Sequence, residues 1–93
     1  MKNLERLTLL GGRFENRLSG QDISFSLRYI DFNEAPLALD VLCNYICERG
    51  VEVLREECDE IVSLNEIFGY PLGKKILFYF KNLISEDRWR LFK

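Results

Sequence analysis

The sequence predicts an all-α fold, a compact single-domain bundle of four to five helices. Apolar residues recur at steps of three and four along most of the chain, and glycine or proline marks most of the breaks in that pattern. The length of 93 residues is enough for one hydrophobic core and too short for two. We therefore expect residues 1–93 to form a single helical domain.

The first predicted helix is marked by five apolar residues on one face: Leu4, Leu7, Leu10, Phe14 and Leu18. Gly11 and Gly12 lie inside this pattern, and each costs about 1 kcal/mol relative to alanine in a helix. The helix is therefore expected to bend or split at the glycine pair and to stop at Ser19-Gly20.

Residues 23–29 allow two interpretations. Apolar and polar residues alternate there, which is typical of a half-buried strand. However, Ile23, Leu27 and Ile30 also fit a helical stripe, and no second convincing strand is available for pairing. Helix is the prediction, with a strand as the alternative.

The stretch from Leu37 to Cys47 is apolar on most sides and should form the central helix, with Asn33 as its cap and Gly50 at its end. Another amphipathic helix is predicted from about Leu54 to Phe68.

A last helix is predicted over residues 72–84. Residues 85–87 read Ser-Glu-Asp, which is typical of a helix start, and should begin a final turn that carries Trp89 and Phe92.

Several features argue against export and membrane insertion. Charged residues interrupt the N-terminal segment where a secretory signal needs an apolar run, and no stretch is long enough to span a bilayer. The three cysteines, Cys43, Cys47 and Cys58, are an odd number without the spacing of a disulfide framework. We expect reduced thiols in a cytoplasmic protein.

The sequence offers little catalytic chemistry. It has no histidine, the commonest general base and metal ligand, so the cysteines lack both an activating base and a fourth zinc ligand. The Gly11-Gly12 pair lacks a phosphate-binding spacing. We expect no catalytic residue, no metal and no cofactor. A small hydrolase with paired carboxylates is a remote alternative, because so short a chain rarely encloses a cleft.

Charge is distributed unevenly along the chain. Residues 1–20 carry four bases against two acids, a net charge of +2. Residues 21–71 carry eleven acids against three bases, which gives −8, and residues 72–93 carry six bases against two acids, which gives +4. On the predicted helix from Leu54, Glu56 and Glu60 lie opposite the apolar stripe and should project into solvent. Packed like charges repel, which suggests a basic partner.

Bases and aromatics are interleaved near the C-terminus, at residues 74–81 and 88–90. Such a mixture occurs in nucleic-acid and membrane-surface contacts. An amphipathic helix that buries its aromatics and exposes its lysines explains the same pattern, and the acidic pI of about 5.2 favours that interpretation. We expect no direct contact with nucleic acid or membrane.

Residues 25–68 resemble small bacterial immunity proteins, in particular the MafI-like group and similar contact-dependent growth inhibition immunity proteins. The resemblance rests on Tyr29-Ile30-Asp31, Glu34, the stretch 37–46 and the stretch 59–64. It implies a cytoplasmic antidote that binds the C-terminal toxin domain of a large exported protein and blocks its active site. Such toxins are often nucleases with basic substrate channels.

The leading hypothesis is therefore an immunity protein, not an enzyme, that occludes the active site of a toxin domain. Its oligomeric state is left open. Eight acids are the predicted contact residues: Asp31, Asp40, Glu52, Glu56, Glu57, Asp59, Glu60 and Glu66. The alternative is a helical adaptor or transcriptional accessory protein that binds through the basic C-terminal segment.

Overall fold

A computed structural model describes the backbone of residues 2–90 and the side chains of residues 2–83. Within this range the chain forms helices and no strands, so the predicted all-α bundle is confirmed. The helices are α1 (Lys2–Arg13), α2 (Gly20–Asp31), α3 (Ala35–Arg49), α4 (Arg55–Ile67) and α5 (Lys74–Arg90). Residues 23–29 lie inside α2, so helix was the correct interpretation of their ambiguous pattern.

Helix α3 is the centre of the bundle, as its apolar sequence predicted, and it packs against all four other helices. Its buried residues are Ala35, Ala38, Leu39, Leu42, Cys43 and Ile46. The same core contains buried residues from three other helices and from the turn after α1: Leu7 of α1, Phe14 of the turn, Ile61 and Leu64 of α4, and Phe80 of α5. Each fully buried Leu, Ile or Phe side chain contributes about 1.5–3 kcal/mol to the free energy of folding, so this core is the main source of stability.

The start of α3 differs from the prediction. Asn33 does not cap α3: it follows the end of α2 with φ of 59°, and Glu34 is the residue at the α3 N-terminus. Asparagine tolerates this left-handed conformation better than most residues, which suits it to the end of a helix.

Helix α5 runs without interruption from Lys74 to Arg90, so the predicted new start at residues 85–87 is wrong. Ser-Glu-Asp is a local helix-start signal that a continuing helix can accommodate. The side chain of Trp89 and all of Phe92 lie outside the described residues. No helix in the described part of the chain has both the length and the apolar character needed to cross a membrane.

The two adjacent glycines of α1 have different surroundings. A Cβ atom on Gly11 would lie 3.0 Å from Cδ1 of Leu27 in α2, whereas one on Gly12 would meet nothing within 4 Å. Gly11 therefore permits the close approach of α1 and α2. The helix continues through both glycines and ends at Arg13, so the predicted stop at Ser19-Gly20 is wrong, and residues 14–18 form a turn.

We expect Gly12→Ala to stabilise the protein by up to about 1 kcal/mol, because alanine restricts the unfolded chain and fits the helix. Gly11→Ala should gain less or lose stability, because Leu27 must move to make room. Urea denaturation of both variants measures the difference. Equal stabilisation by the two substitutions would show that Gly11 has no packing role.

Candidate partner-binding surface

The acidic residues of α4 fall into two groups with different surroundings. Glu57 is buried and Glu60 half-buried, and both face α1, whereas Glu56, Asp59 and Glu66 are exposed. The prediction that Glu60 projects into solvent is therefore wrong, and Glu57, a predicted contact residue, is buried inside the protein.

Glu57 is the most buried carboxylate among the described side chains, with a side chain that is 0% exposed. Arg17 donates to it twice, from Nη1 to Oε1 and from Nη2 to Oε2, both at 2.7 Å. Arg13 donates through Nε at 3.0 Å, and the backbone N–H of Leu54 donates at 2.8 Å. One carboxylate thus joins α1, the turn that follows it and the N-terminus of α4.

Burial alone would raise the pKa of Glu57, because it disfavours the charged carboxylate. Hydrogen bonds from Arg17 and Leu54, together with the charges of Arg17 and Arg13, outweigh burial and lower the pKa below its usual value. The same contact raises the pKa of Arg17. Glu57 is therefore ionised at neutral pH in spite of its burial.

A second ion pair lies further along the same two helices. Arg6 donates to Glu60 through Nη2 at 2.5 Å and Nε at 2.9 Å, and Nη2 also donates to the hydroxyl of Ser63 at 3.1 Å. The hydrogen bond from Arg6 lowers the pKa of Glu60, although partial burial opposes the shift. Both side chains are about one-third exposed, at 34% and 32%, so solvent weakens this pair.

These contacts account for much of the charge imbalance along the sequence. Three of the four bases in the first twenty residues, all of them arginines, form ion pairs with acids of α4. The partners of Arg6, Arg13 and Arg17 were not predicted from the sequence. Their spacing of seven and four residues, which places arginines on one side of the segment, was the signal that could have identified them.

The exposed acids have few partners. Glu56 lies 3.6 Å from Nη2 of Arg13, and both side chains are about half-exposed or more, at 65% and 48%. Asp59 and Glu66 form no ion pair with any residue whose side chain the structure describes. Glu52 is exposed in the segment before α4. We call Glu52, Glu56, Asp59 and Glu66 the acidic face. At 1.5 Å per helical residue, its α4 portion is about 15 Å long.

The other two predicted residues lie elsewhere. Asp31 ends α2, which does not pack against α4. Asp40 is half-buried on α3, where it accepts a 3.1 Å hydrogen bond from the side-chain amide of Asn44. The eight predicted residues therefore do not form one continuous site.

None of the three cysteines forms a disulfide, and Cys43 and Cys58 are buried. Burial raises the pKa of Cys43 well above its usual value and that of Cys47 to about 11, so both are protonated at neutral pH. Within the described residues, no group of three histidine, cysteine, aspartate or glutamate side chains is placed to hold a metal ion.

The basic C-terminal segment has a mixed surface. Lys74, Lys75 and Lys81 are exposed, and Phe80 is fully buried. Phe78, in contrast, is 66% exposed. The lysines therefore point outward as the amphipathic interpretation expects, but not every aromatic residue is buried.

Comparison with protein-family models, with curated proteins and with solved structures found no match. The resemblance to immunity proteins thus stays a prediction from the sequence.

Replacing Glu57 by glutamine should destabilise the protein by about 2–3 kcal/mol, because it removes a buried charge that neutralises two arginines. Glutamine retains an oxygen for the Leu54 N–H, so the substitution tests mainly the charge. Glu56→Gln is the matched control, since that side chain is exposed, and it should cost no more than about 0.5 kcal/mol. Chemical denaturation measures both. Similar costs for the two variants would contradict the assigned role of Glu57.

The protein should lose stability in mild acid. Because the folded-state pKa values of Glu57 and Glu60 are lowered, their contribution is complete above the usual glutamate pKa of about 4.3. It disappears as the pH falls through the lowered folded-state values. Unfolding free energies measured between about pH 6 and 3 should fall more steeply for the wild type than for a Glu57→Gln/Glu60→Gln variant. Parallel curves would show that these carboxylates do not govern acid stability.

Proposed function

We propose that this chain is an immunity protein that binds a toxin domain and neutralises it by covering its active site. The observation that carries the proposal is the acidic face. Asp59 and Glu66 have no ion-pair partner among the described side chains, although other acids of the same helix are neutralised internally. The resemblance of residues 25–68 to immunity proteins supports the same function.

The proposed partner is a toxin domain with a basic cleft, as a nuclease has. Carboxylates along about 15 Å of a helix can follow a row of basic side chains in such a cleft. They would compete there with the phosphates of the substrate, and their field would accelerate association with a basic partner. The ion pairs between α1 and α4 support this function indirectly because they hold α4 in place before binding, which reduces the entropy lost in the complex.

In this proposal the protein acts in the cytoplasm by binding alone, without catalysis and without a cofactor. Glu57 and Glu60 hold α4 against α1 and the turn that follows it, and the acidic face makes the contact with the toxin domain.

The second candidate is an adaptor that binds through α5. It is favoured by one observation, the exposure of Phe78 among Lys74, Lys75 and Lys81. An exposed aromatic residue with basic neighbours is a common element of binding surfaces.

Charge reversal separates the two candidates. Asp59→Lys/Glu66→Lys should weaken binding to the toxin domain encoded beside this gene by at least about a hundredfold, because lost pairing is combined with repulsion. Stability should change by about 1 kcal/mol or less, since both side chains are exposed. Isothermal calorimetry or surface plasmon resonance measures the affinity, and wild-type association should slow as salt increases.

Lys74→Glu/Lys75→Glu is the matched control, with two charges reversed on another exposed surface. It should leave toxin binding unchanged. If only this variant weakened binding, the basic surface of α5 would be the binding surface, and the acidic face would not. An unchanged dissociation constant for Asp59→Lys/Glu66→Lys would remove the acidic face from the mechanism.

A further inference from the structure

A pocket of about 330 Å³ is formed by the start of α3, the end of the α2–α3 connection and the α4–α5 connection. Its lining residues are Asn33, Glu34, Pro36, Leu37, Asp40 and Pro71. None of them belongs to the acidic face.

The lining combines an apolar surface with negative charge. Pro36, Leu37 and Pro71 supply the apolar part, and Leu37 is 37% exposed. Glu34 and Asp40 are the charged lining residues, and none of the basic side chains that the structure describes lines the pocket. A ligand with both an apolar portion and a positive charge would therefore complement this lining.

The two carboxylates are available and partly oriented. Asn44 donates from Nδ2 to Oδ1 of Asp40 at 3.1 Å and to the Asp40 carbonyl at 2.7 Å, which fixes the Asp40 side chain relative to α3. Glu34 is exposed and makes no side-chain cap hydrogen bond, although it occupies the N-cap position of α3. The Asp40 carboxylate is thus held in one orientation, whereas the Glu34 carboxylate can adapt its position to a ligand.

The helix ends do not reverse this charge. The α3 N-terminus contributes about half a positive charge, and the α2 C-terminus, which precedes Asn33, contributes about half a negative charge. Pro36 has no backbone N–H, so it removes one of the donors that an anion would use. The two carboxylates therefore dominate, and the pocket favours a cation.

Two exposed aromatic residues are sequence neighbours of residues that line the pocket. Phe32, next to Asn33, is 66% exposed, and Tyr70, next to Pro71, is 68% exposed. Tyr70 also has φ of 63°, a costly conformation for a residue with a large side chain, and its ring gains little burial in return. Exposed tyrosines are frequent energetic centres of protein interfaces.

We propose that this pocket binds an arginine side chain of a partner protein. The methylene groups of the arginine would pack on Leu37, Pro36 and Pro71, and its guanidinium would pair with Glu34 and Asp40. Arginine fits better than lysine because its planar group stacks on flat apolar surfaces and can pair with two carboxylates at once. The flanking aromatics indicate a protein ligand over the free amino acid.

The test uses N-acetyl-arginine methylamide as the probe, titrated into ¹⁵N-labelled protein and followed by NMR. We expect saturable shifts at the backbone amides of residues 32–35, 37–41, 70 and 72, since Pro36 and Pro71 have no N–H. N-acetyl-citrulline methylamide, which has the same shape without the charge, should bind at least about fivefold more weakly. Because no toxin is needed, this inference and the proposed function can fail separately.

Two variants test the two halves of the pocket. Glu34→Gln/Asp40→Asn should weaken the arginine probe at least about fivefold, and Leu37→Ser should weaken it while leaving both charges in place. Asp59→Asn/Glu66→Gln, which removes the same charge from the acidic face, is the control and should bind as the wild type does. Helical circular dichroism checks the fold of each variant.

The proposal is overturned if the shifts do not saturate, or if they spread equally over α4. It is also overturned if the control variant loses as much affinity as the pocket variant. If Glu34→Gln/Asp40→Asn disturbs the fold, Leu37→Ser decides the question alone, and wild-type affinity in that variant counts against the pocket.

Discussion

The ion pairs of Glu57 are the interaction on which the arrangement of α1 and α4 depends. An isolated buried carboxylate would lose several kcal/mol of hydration, so its position requires both arginines and the Leu54 N–H. Those donors come from three separate places in the chain. They can meet only when α1, the following turn and the start of α4 are packed correctly. The contact therefore stabilises the native packing of these helices over other arrangements.

This arrangement also determines which acids are available to a partner. Arg17 and Arg13 neutralise Glu57, and Arg6 neutralises Glu60. What remains exposed is a narrower acidic face than the composition of α4 suggests. A small protein can thus combine a stabilising contact and a charged binding surface on one helix, because successive residues of a helix point in different directions.

The arginine pocket follows from a different part of the fold. Its lining residues come from the start of α3, from the connection before it and, through Pro71, from the α4–α5 connection, which is far away in the sequence. The pocket and the acidic face both favour basic ligands, yet they share no residue. A basic protein could use either surface, and the matched variants distinguish the two.

The sequence by itself determined the helices and their buried faces. The stripe of Leu7, Leu10 and Phe14 and the apolar stretch around Leu42 are local patterns that place these residues in the core. Helix α2 packs against this core through apolar residues that are only partly buried, among them Ile23 and Leu27. Only the tertiary structure decided the partners of the charges and the helix ends that depend on neighbours. Periodicity locates Glu57 on α4 but does not bring Arg17 to it, because that contact spans forty residues of chain. Likewise, nothing local shows that Gly11 faces Leu27 whereas Gly12 faces open space.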